Sequence, residues 1–321
     1  MENSTLSTNV ETQYLSHRIK FAILLTLQIP SIIISLLIFL YFFTHQSIFY
    51  IRQNQALLVL LIVNFIQVTF DLPMVIHFNR LGYISPATNA YCKWWTFLEY
   101  SLNGTNEMLM ATISIQRHIL IFHANLFNNR LNRYVFHHLP LLICIIYPMI
   151  FYIIIILFDT CDGTQWNFYA NICGLANCYM VYEKSLATFD WVFNNGFPII
   201  VITLADVSLI IRVVRQRLRR HGSVSWKKQR RMTIQLLSVS CLYMIAWFPG
   251  IIVAAIQYLV SPTFLLDIQV EYIFYLTYMI CLFIPWICLG LFPEFIKWIW
   301  KNVTPRKTSS NIVKPLQKSS Q

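Results

Sequence analysis

The sequence CKWWTFLEYSLNGTNEMLMATISIQRH, from Cys92 to His118, contains the two residues that constrain this chain most. Cys92 and Arg117 are 25 residues apart. A helix rising about 1.5 Å per residue would separate them by roughly 37 Å, enough to cross a bilayer. One helix would then place a cysteine on one side of a membrane and a guanidinium at the other. An arginine in such a segment is costly and usually functional.

The composition around this stretch is that of a membrane protein. Of the 321 residues, 57% are hydrophobic and 12% are charged, whereas soluble domains average about 25% charged residues. The chain lacks the alternating polar pattern of a membrane barrel, so it predicts an all-α membrane protein, a bundle of helices. The polar first twenty residues and the long first apolar run argue against a cleaved signal peptide.

Seven segments have the length that a bilayer requires. Four of them contain no Asp, Glu, Lys or Arg: 21–43, 139–158, 232–260 and 272–293. The other three are 56–78 with Asp71, 91–122 with Glu99, Glu107 and Arg117, and 191–211 with Asp206. The Ser/Thr-rich start and the Ser/Lys-rich tail are predicted to be disordered.

The distribution of basic residues predicts the orientation. With seven spans, the chain ends lie on opposite sides. If the amino end is outside, 19 of the 24 Lys and Arg residues are cytoplasmic and 5 are external. Cytoplasmic segments carry such an excess, so we expect an extracellular amino end. Because these basic residues flank membrane spans, we interpret the net positive charge as a topology signal and as attraction to anionic lipid. We therefore expect no nucleic-acid partner.

The cysteines agree with this orientation. Four of the eight fall outside, where disulfides persist: Cys92, Cys161, Cys173 and Cys178. Three pairings are open to them from the sequence alone. Asn3 begins the motif Asn3-Ser4-Thr5 on the same side, and we expect it to carry a glycan.

Several motifs stand in order on the spans. Gln116-Arg117-His118 is similar to an Asp/Glu-Arg-Tyr triplet, and Ala246-Trp247-Phe248-Pro249 is similar to Cys-Trp-x-Pro. Prolines interrupt the second, fifth and seventh spans at Pro73, Pro198 and Pro285. With these motifs, the chain resembles the rhodopsin-like (class A) G-protein-coupled receptors across nearly its whole length.

The resemblance divides the chain into three parts. Residues 1–20 would be an extracellular tail, 21–302 the seven-helix receptor, and 303–321 a disordered cytoplasmic tail. Segment 293–298 would form a short amphipathic eighth helix on the inner leaflet. Cys92 would pair with the loop 159–184, and we favour Cys178, nearest the fifth span, with Cys161 paired to Cys173.

Departures from the family pattern indicate a divergent receptor. The usual acid of the second span is Asn64, and Ile284-Pro285-Trp286-Ile287-Cys288 replaces Asn-Pro-x-x-Tyr. Asn64 and Asn106 supply no carboxylate for an allosteric sodium ion, and no metal or cofactor is expected. Such divergence is typical of expanded invertebrate chemosensory or orphan receptors.

The resemblance implies a ligand pocket with Glu99, Asn103, Trp247 and Tyr278 in its wall. Glu99 precedes Arg117 by 18 residues, about five turns, on nearly the same helix face. An acid at this level pairs with the ligand ammonium in amine receptors of the family. The alternatives are a structural ion pair or a protonated, hydrogen-bonded acid for Glu99, and plain core packing for Trp247.

The resemblance also implies an activation switch, whose residues are Arg117, Gln116, Asp206, Trp247, Pro249 and Pro285. Gln116 cannot restrain Arg117 by charge as an acid would. Asp206 follows Pro198 by eight residues, two turns nearer the cytoplasm. We predict that Asp206 pairs with Arg117 in one of two signalling states. The alternative is that Asp206 pairs with Arg212 or another residue of the basic segment.

Other functional classes fail specific tests. A retinal protein requires a lysine in the last span, and 272–293 has none. Insect chemosensory channels place the amino end inside, and transporters usually carry paired repeats with broken helices. No zinc, phosphate-loop or nucleophile motif indicates an enzyme. We therefore expect a plasma-membrane receptor with an extracellular ligand and a heterotrimeric G protein as partners. The alternative is a receptor-like protein without coupling, acting in binding or trafficking.

Overall fold

The computed structural model describes residues 2–46, 52–122, 129–159, 162–219, 224–261, 264–291 and 293–303. Eight helices dominate these residues, and four of them contain π-helical turns. They are α1, Glu2–Thr44; α2, which joins Arg52–Ile66, the π turn Gln67–Asp71 and Leu72–Leu81; α3, Asn89–Phe122; α4, Arg130–Leu157, with π turns at Tyr134–His138 and Ile153–Leu157; α5, which joins Lys184–Phe189, the π turn Asp190–Gly196 and Phe197–Arg219; α6, Val224–Leu259; α7, which joins Leu266–Ile268, the π turn Gln269–Ile273 and Phe274–Leu291; and α8, Pro293–Val303.

Each predicted span coincides with one of the first seven helices. Six of these are long and apolar enough to cross a membrane by length and composition: α1, α2, α4, α5, α6 and α7. The remaining helix, α3, has 34 residues but is more polar. Its polar residues face the interior, because Glu99, Glu107 and Arg117 are all buried.

The amino-terminal segment differs from the prediction. It is helical from Glu2 onward, where the sequence suggested disorder. Residues 2–20 contain neither Pro nor Gly, and extending an existing helix costs far less than nucleating one. Tertiary contacts also hold it, since Lys20 Nζ donates to the Glu271 carbonyl at 2.8 Å. The tail 304–321 lies outside the described residues.

The seven long helices form a closed ring in which α3 also contacts α5. Consecutive helices pack together, α7 returns to α1, and α3 contacts α2, α4 and α5. Gly104 allows the close approach of α3 and α4, because a Cβ there would lie 3.3 Å from the Tyr152 ring. Helix α8 is anchored by Phe295, which is buried against the Tyr41 ring at 5.0 Å.

The outward faces are apolar, as expected of a bundle in lipid. Large hydrophobic side chains such as Ile29, Ile33, Leu36 and Leu40 of α1 are exposed. The two ends of the bundle are named by residues of α3. The disulfide end lies near the bonded Cys92, and the arginine end surrounds Arg117.

Candidate functional site

A disulfide fastens the long loop between α4 and α5 over the bundle. It joins Cys92 to Cys173, with Cα atoms 5.8 Å apart. The predicted pairs Cys92–Cys178 and Cys161–Cys173 are therefore both wrong. Cys178 is bonded in another disulfide and begins its own short helix, Cys178–Tyr182. The prediction relied on the closeness of Cys178 to the fifth span along the chain, but the loop folds back and buries Cys173 over α3. Cys161 lies outside the described residues.

The loop segment beside this disulfide has an unusual backbone. Ile172, Cys173 and Leu175 have φ angles of 50°, 53° and 56°, and Gly174 has a φ of 77°. Non-glycine residues rarely adopt this left-handed region, and a β-branched residue there is an outlier. Surrounding contacts must impose such a conformation. Here the disulfide and the burial of Ile172 and Cys173 do so.

Beneath the loop lies a central cavity. Its volume is small, about 40 Å³, enough for one or two water molecules. Three residues predicted for a pocket line it, Glu99, Asn103 and Trp247. The other lining residues come from α3, the loop, α5 and α7: Tyr100, Ile172, Leu175, Asp190, Trp191, Asn195, Phe274 and Thr277.

Glu99 is buried and held by hydrogen bonds from two sides. Asn103 Nδ2 donates to its Oε1 at 2.7 Å, and the Tyr278 hydroxyl donates to its Oε2 at 2.9 Å. Tyr278 thus positions the carboxylate without being among the cavity-lining residues. Both ion pairs in the described part of the chain involve other acids. Glu99 therefore faces the cavity without a basic side chain paired to it.

A chain of side-chain amides continues from Glu99 into the bundle. Gln67 Nε2 donates to Asn103 Oδ1 at 2.9 Å, and Asn106 Nδ2 donates to Gln67 Oε1 at 2.9 Å. Asn64 Nδ2 donates in turn to Asn106 Oδ1 at 3.1 Å. Each amide donates toward the carboxylate, which can only accept when ionised. Asn64 and Asn106, which supply no carboxylate for a sodium ion, form part of this relay between α2 and α3.

A second buried acid closes the other side of the cavity. Asp190 accepts hydrogen bonds from the Tyr152 and Tyr179 hydroxyls, both at 2.7 Å, and from Asn194 Nδ2 at 2.7 Å. These bonds join α4, the loop helix and α5. Sequence reasoning missed Asp190 because it stands just before the predicted fifth span. The signal was the four-residue spacing to Asn194, which places both on one helix face.

Two further acids of the interior lack hydrogen bonds to the rest of the described chain. Both carboxyl oxygens of Asp71 and both of Glu107 are unpartnered and fully buried. Asp71 lies in the π turn of α2, close to Glu99. Asp71 thus adds a buried carboxyl group beside Glu99, while Glu107 lies near the middle of α3.

The predicted switch residues occupy two levels. Trp247 lines the cavity floor, two residues before Pro249, and both lie inside α6. Pro285 lies inside α7. A proline in a helix removes one backbone hydrogen bond and favours a kink. Trp247 is also 93% buried, so it packs in the core of the bundle and lines the cavity at the same time.

At the arginine end, Arg117 connects three helices. Its Nη1 lies 3.9 Å from Asp206 Oδ1 of α5, and its Nη2 donates to Ser240 Oγ of α6 at 3.2 Å. The predicted pair with Asp206 is therefore present. Both side chains are at most 3% exposed. Nε and Nη1 of Arg117 make no hydrogen bond to the described residues, so the guanidinium keeps unused donors.

Gln116 binds the neighbouring helix α4 rather than Arg117. Its Nε2 donates to the carbonyls of Phe136 and His137 at 3.2 and 3.1 Å, and its Oε1 lies 2.9 Å from His137 Nδ1. The amide thus fastens α3 to the π turn at the start of α4. Beside it, His118 Nε2 lies 2.6 Å from the Ala205 carbonyl of α5.

The family model for the 7 transmembrane receptor (rhodopsin family) matches residues 35–287, which cover well over half of the chain. The match contains the Cys92–Cys173 disulfide, the cavity and the Arg117 contacts. A search of curated protein sequences finds no match.

Proposed function

Because the chain belongs to the rhodopsin family of seven-transmembrane receptors, we propose that it is a G-protein-coupled receptor of the plasma membrane. It binds an extracellular ligand at the central cavity and activates a heterotrimeric G protein. The observation that carries this proposal is Arg117 at the opposite end of α3 from the disulfide, in contact with α5 and α6. Separation of these helices would free its donors for a protein partner.

In this proposal all seven long helices cross the bilayer. Helix α3 does so despite its polarity, because its acids and Arg117 face the bundle. The disulfide end is extracellular and the arginine end is cytoplasmic, as the excess of basic residues predicts. Helix α8 then lies along the inner leaflet with its buried Phe295 toward α1.

We further propose that the ligand carries a cationic group. Glu99 lines the cavity and Asp71 lies close to Glu99, and no basic side chain forms an ion pair with either in the described part of the chain. A cation beside Glu99 would be attracted by its carboxyl group in a medium of low dielectric constant. The cavity of about 40 Å³ must widen to admit it, so ligand binding favours a more open conformation.

Recruitment of G proteins tests the coupling. The receptor should recruit at least one G-protein class in cells, either spontaneously or on addition of compounds from an amine library. Arg117→Ala should abolish recruitment at equal surface expression, since it removes the contact residue. Arg80→Ala is the matched control, because Arg80 is exposed near the disulfide end and should leave recruitment unchanged. If the unmodified receptor recruits no G protein of any class, the alternative is favoured, namely a receptor-like protein without G-protein coupling.

Glu99→Gln tests the ligand site. Gln preserves the size of the side chain but removes its charge. For a cationic agonist, loss of a buried charge partner costs about 2–5 kcal/mol, so potency should fall at least about thirtyfold. Glu183→Gln, an exposed loop acid, should leave potency unchanged. Equal potency of a cationic agonist on the Glu99 variant and the unmodified receptor would refute the role.

A further inference from the structure

Asp71 and Glu99 form a pair of buried carboxyl groups on the neighbouring helices α2 and α3. One turn nearer the arginine end, Gln67 of α2 donates to Asn103 of α3 at 2.9 Å. Gln67 precedes Asp71 by four residues and Asn103 follows Glu99 by four, so each acid shares a helix face with one member of that bond. The bond therefore holds the two acids side by side, and Asp71 lies close to Glu99.

The two carboxyl groups have different surroundings. Glu99 accepts hydrogen bonds from Asn103 at 2.7 Å and from the Tyr278 hydroxyl at 2.9 Å. Both oxygens of Asp71 are buried and have no hydrogen-bond partner in the described part of the chain. Donors stabilise the ionised form of an acid, whereas an ionised carboxylate buried without donors is very costly. These surroundings favour ionisation of Glu99 and protonation of Asp71.

No cation of the described chain compensates the pair. Both ion pairs among the described residues involve other acids, Glu271 and Asp206. Helix α1 packs on the π turn of Asp71, and its residues 21–40 include no titratable side chain. Two adjacent carboxylates in a medium of low dielectric constant repel strongly, so acids that share a site retain a proton between them. The other titratable side chains around the pair are uncharged or acidic: Tyr278 and Cys281 of α7, Tyr100 and Glu107 of α3, and Asp190 of α5.

We propose that Asp71 carries an exchangeable proton that is released when a cation binds beside Glu99, so that extracellular protons oppose ligand binding. The cation cancels the negative charge of Glu99, which otherwise keeps Asp71 protonated. The O–H bond of Asp71 then breaks, its electron pair stays on the carboxylate, and the proton passes to water. The ionised Asp71 accepts from the Trp95 indole N–H, which is buried and unpartnered in the described residues and lies near Asp71.

This inference rests on the cationic ligand of the proposed function, but the proton itself can be detected without any ligand. Infrared spectra of the full-length receptor in nanodiscs should contain a carbonyl band of a protonated carboxyl group that is lost in Asp71→Asn. Glu107→Gln is the matched control, because Glu107 is another buried acid without partners in the described chain. It should leave the band of Asp71 in place. Absence of any band that depends on Asp71 would overturn the proposal.

A second variant tests the pair if Asp71→Asn fails to fold. Glu99→Gln keeps Asp71 but replaces its ionised neighbour by a neutral amide of the same size. The frequency of the Asp71 band should shift, because the strength of a hydrogen bond to an ionised group differs from that to a neutral one. An unchanged frequency in this variant would show that the two acids do not share the proton.

The release is tested with phenyltrimethylammonium, a cation whose own charge does not vary with pH. Its affinity for the receptor in nanodiscs should be at least about tenfold weaker at about pH 5 than at about pH 8, since one proton leaves for each cation bound. Asp71→Asn should bind the probe with nearly the same affinity at both pH values, because the exchangeable proton is gone. Glu107→Gln should retain the full pH dependence.

The outcomes distinguish this inference from the proposed function. If the probe binds the unmodified receptor with an affinity that does not depend on pH, the proton release is refuted while the cationic ligand stands. If neither the probe nor any compound of the amine library binds at either pH, the cationic ligand is refuted, and with it the release. A pH dependence that persists in Asp71→Asn would assign the proton to another group and overturn the role of Asp71.

Discussion

Arg117 shows at the residue scale how one side chain can join three helices. Two charges removed from water are stable together only when each compensates the other. Asp206 supplies that compensation from α5, while Ser240 supplies a hydrogen-bond acceptor from α6. Gln116, the neighbour that would be acidic in related motifs, binds α4 instead. The restraint on Arg117 has therefore moved from its own helix to α5.

We expect Asp206→Asn to raise basal signalling. The pair holds α3 against α5 in a bundle whose central cavity is nearly closed, which fits the resting state. Loss of about 1 kcal/mol of preference for that state would raise the active population about fivefold. Spontaneous G-protein recruitment, corrected for surface expression, measures this increase in the active population.

The matched control for this variant is Asp162→Asn, in an exposed position of the α4–α5 loop. It makes the same chemical change far from Arg117 and should leave basal recruitment at the unmodified level. Lower agonist efficacy with unchanged basal recruitment would assign the pair to the active state instead. If neither basal recruitment nor agonist efficacy changes, the pair has no role in the resting state or in the active state.

At the scale of elements, π-helical turns carry much of the polar chemistry. A π turn inserts an extra residue into a helix and commonly marks a functional site. The turn Gln67–Asp71 directs Gln67 and Asp71 into the interior, and the turn Asp190–Gly196 does so for Asp190 and Asn194. The members of each pair are four residues apart, so they share one face of their helix, and both pairs are buried.

We expect Gln67→Leu to destabilise the contact between α2 and α3. Leucine has a similar volume but leaves Asn103 and Asn106 without their shared partner. Each buried unsatisfied amide costs about 1–3 kcal/mol, so the melting temperature of the purified receptor should fall. Thr69→Val, in the same π turn, breaks only a bond to the Phe65 carbonyl of its own helix and should have a smaller effect. Equal melting temperatures for the two variants would contradict the relay.

At the scale of the whole molecule, the loop segment at the disulfide lies between two cavities. Ile172 lines the central cavity, and its neighbour Asn171 lines a second cavity between α1, the α4–α5 loop and α7. A displacement of this segment would therefore change both cavities together.

We expect Cys173→Ser to destabilise this arrangement. The bond closes a sequence separation of 81 residues, and cross-links of that size contribute about 4 kcal/mol by restricting the unfolded chain. The strained segment would also lose its main restraint. Surface expression and melting temperature should both fall. Cys241→Ser, which changes a free and partly exposed cysteine of α6, is the control and should alter neither.

Much of the architecture was predictable from residue order alone. Apolar segments of bilayer length predicted each long helix, because unpaired backbone groups are too costly in lipid. The family motifs predicted that Glu99 and Trp247 would share a level near the disulfide end, and helical spacing predicted the Asp206–Arg117 pair. These predictions rest on local periodicity and on one-dimensional distances, which a helix preserves in three dimensions.

Only the tertiary structure decided the rest. The choice of Cys173 over Cys178 depends on how the loop folds back, and the roles of Asp190 and Gln67 depend on neighbours from other helices or loops. Contacts of His17 and Lys20 with α2 and α7 likewise hold the turns of α1 that precede the predicted first span. Such contacts join residues far apart in the chain, and their free energies arise from burial and mutual geometry. Local sequence patterns do not record either quantity.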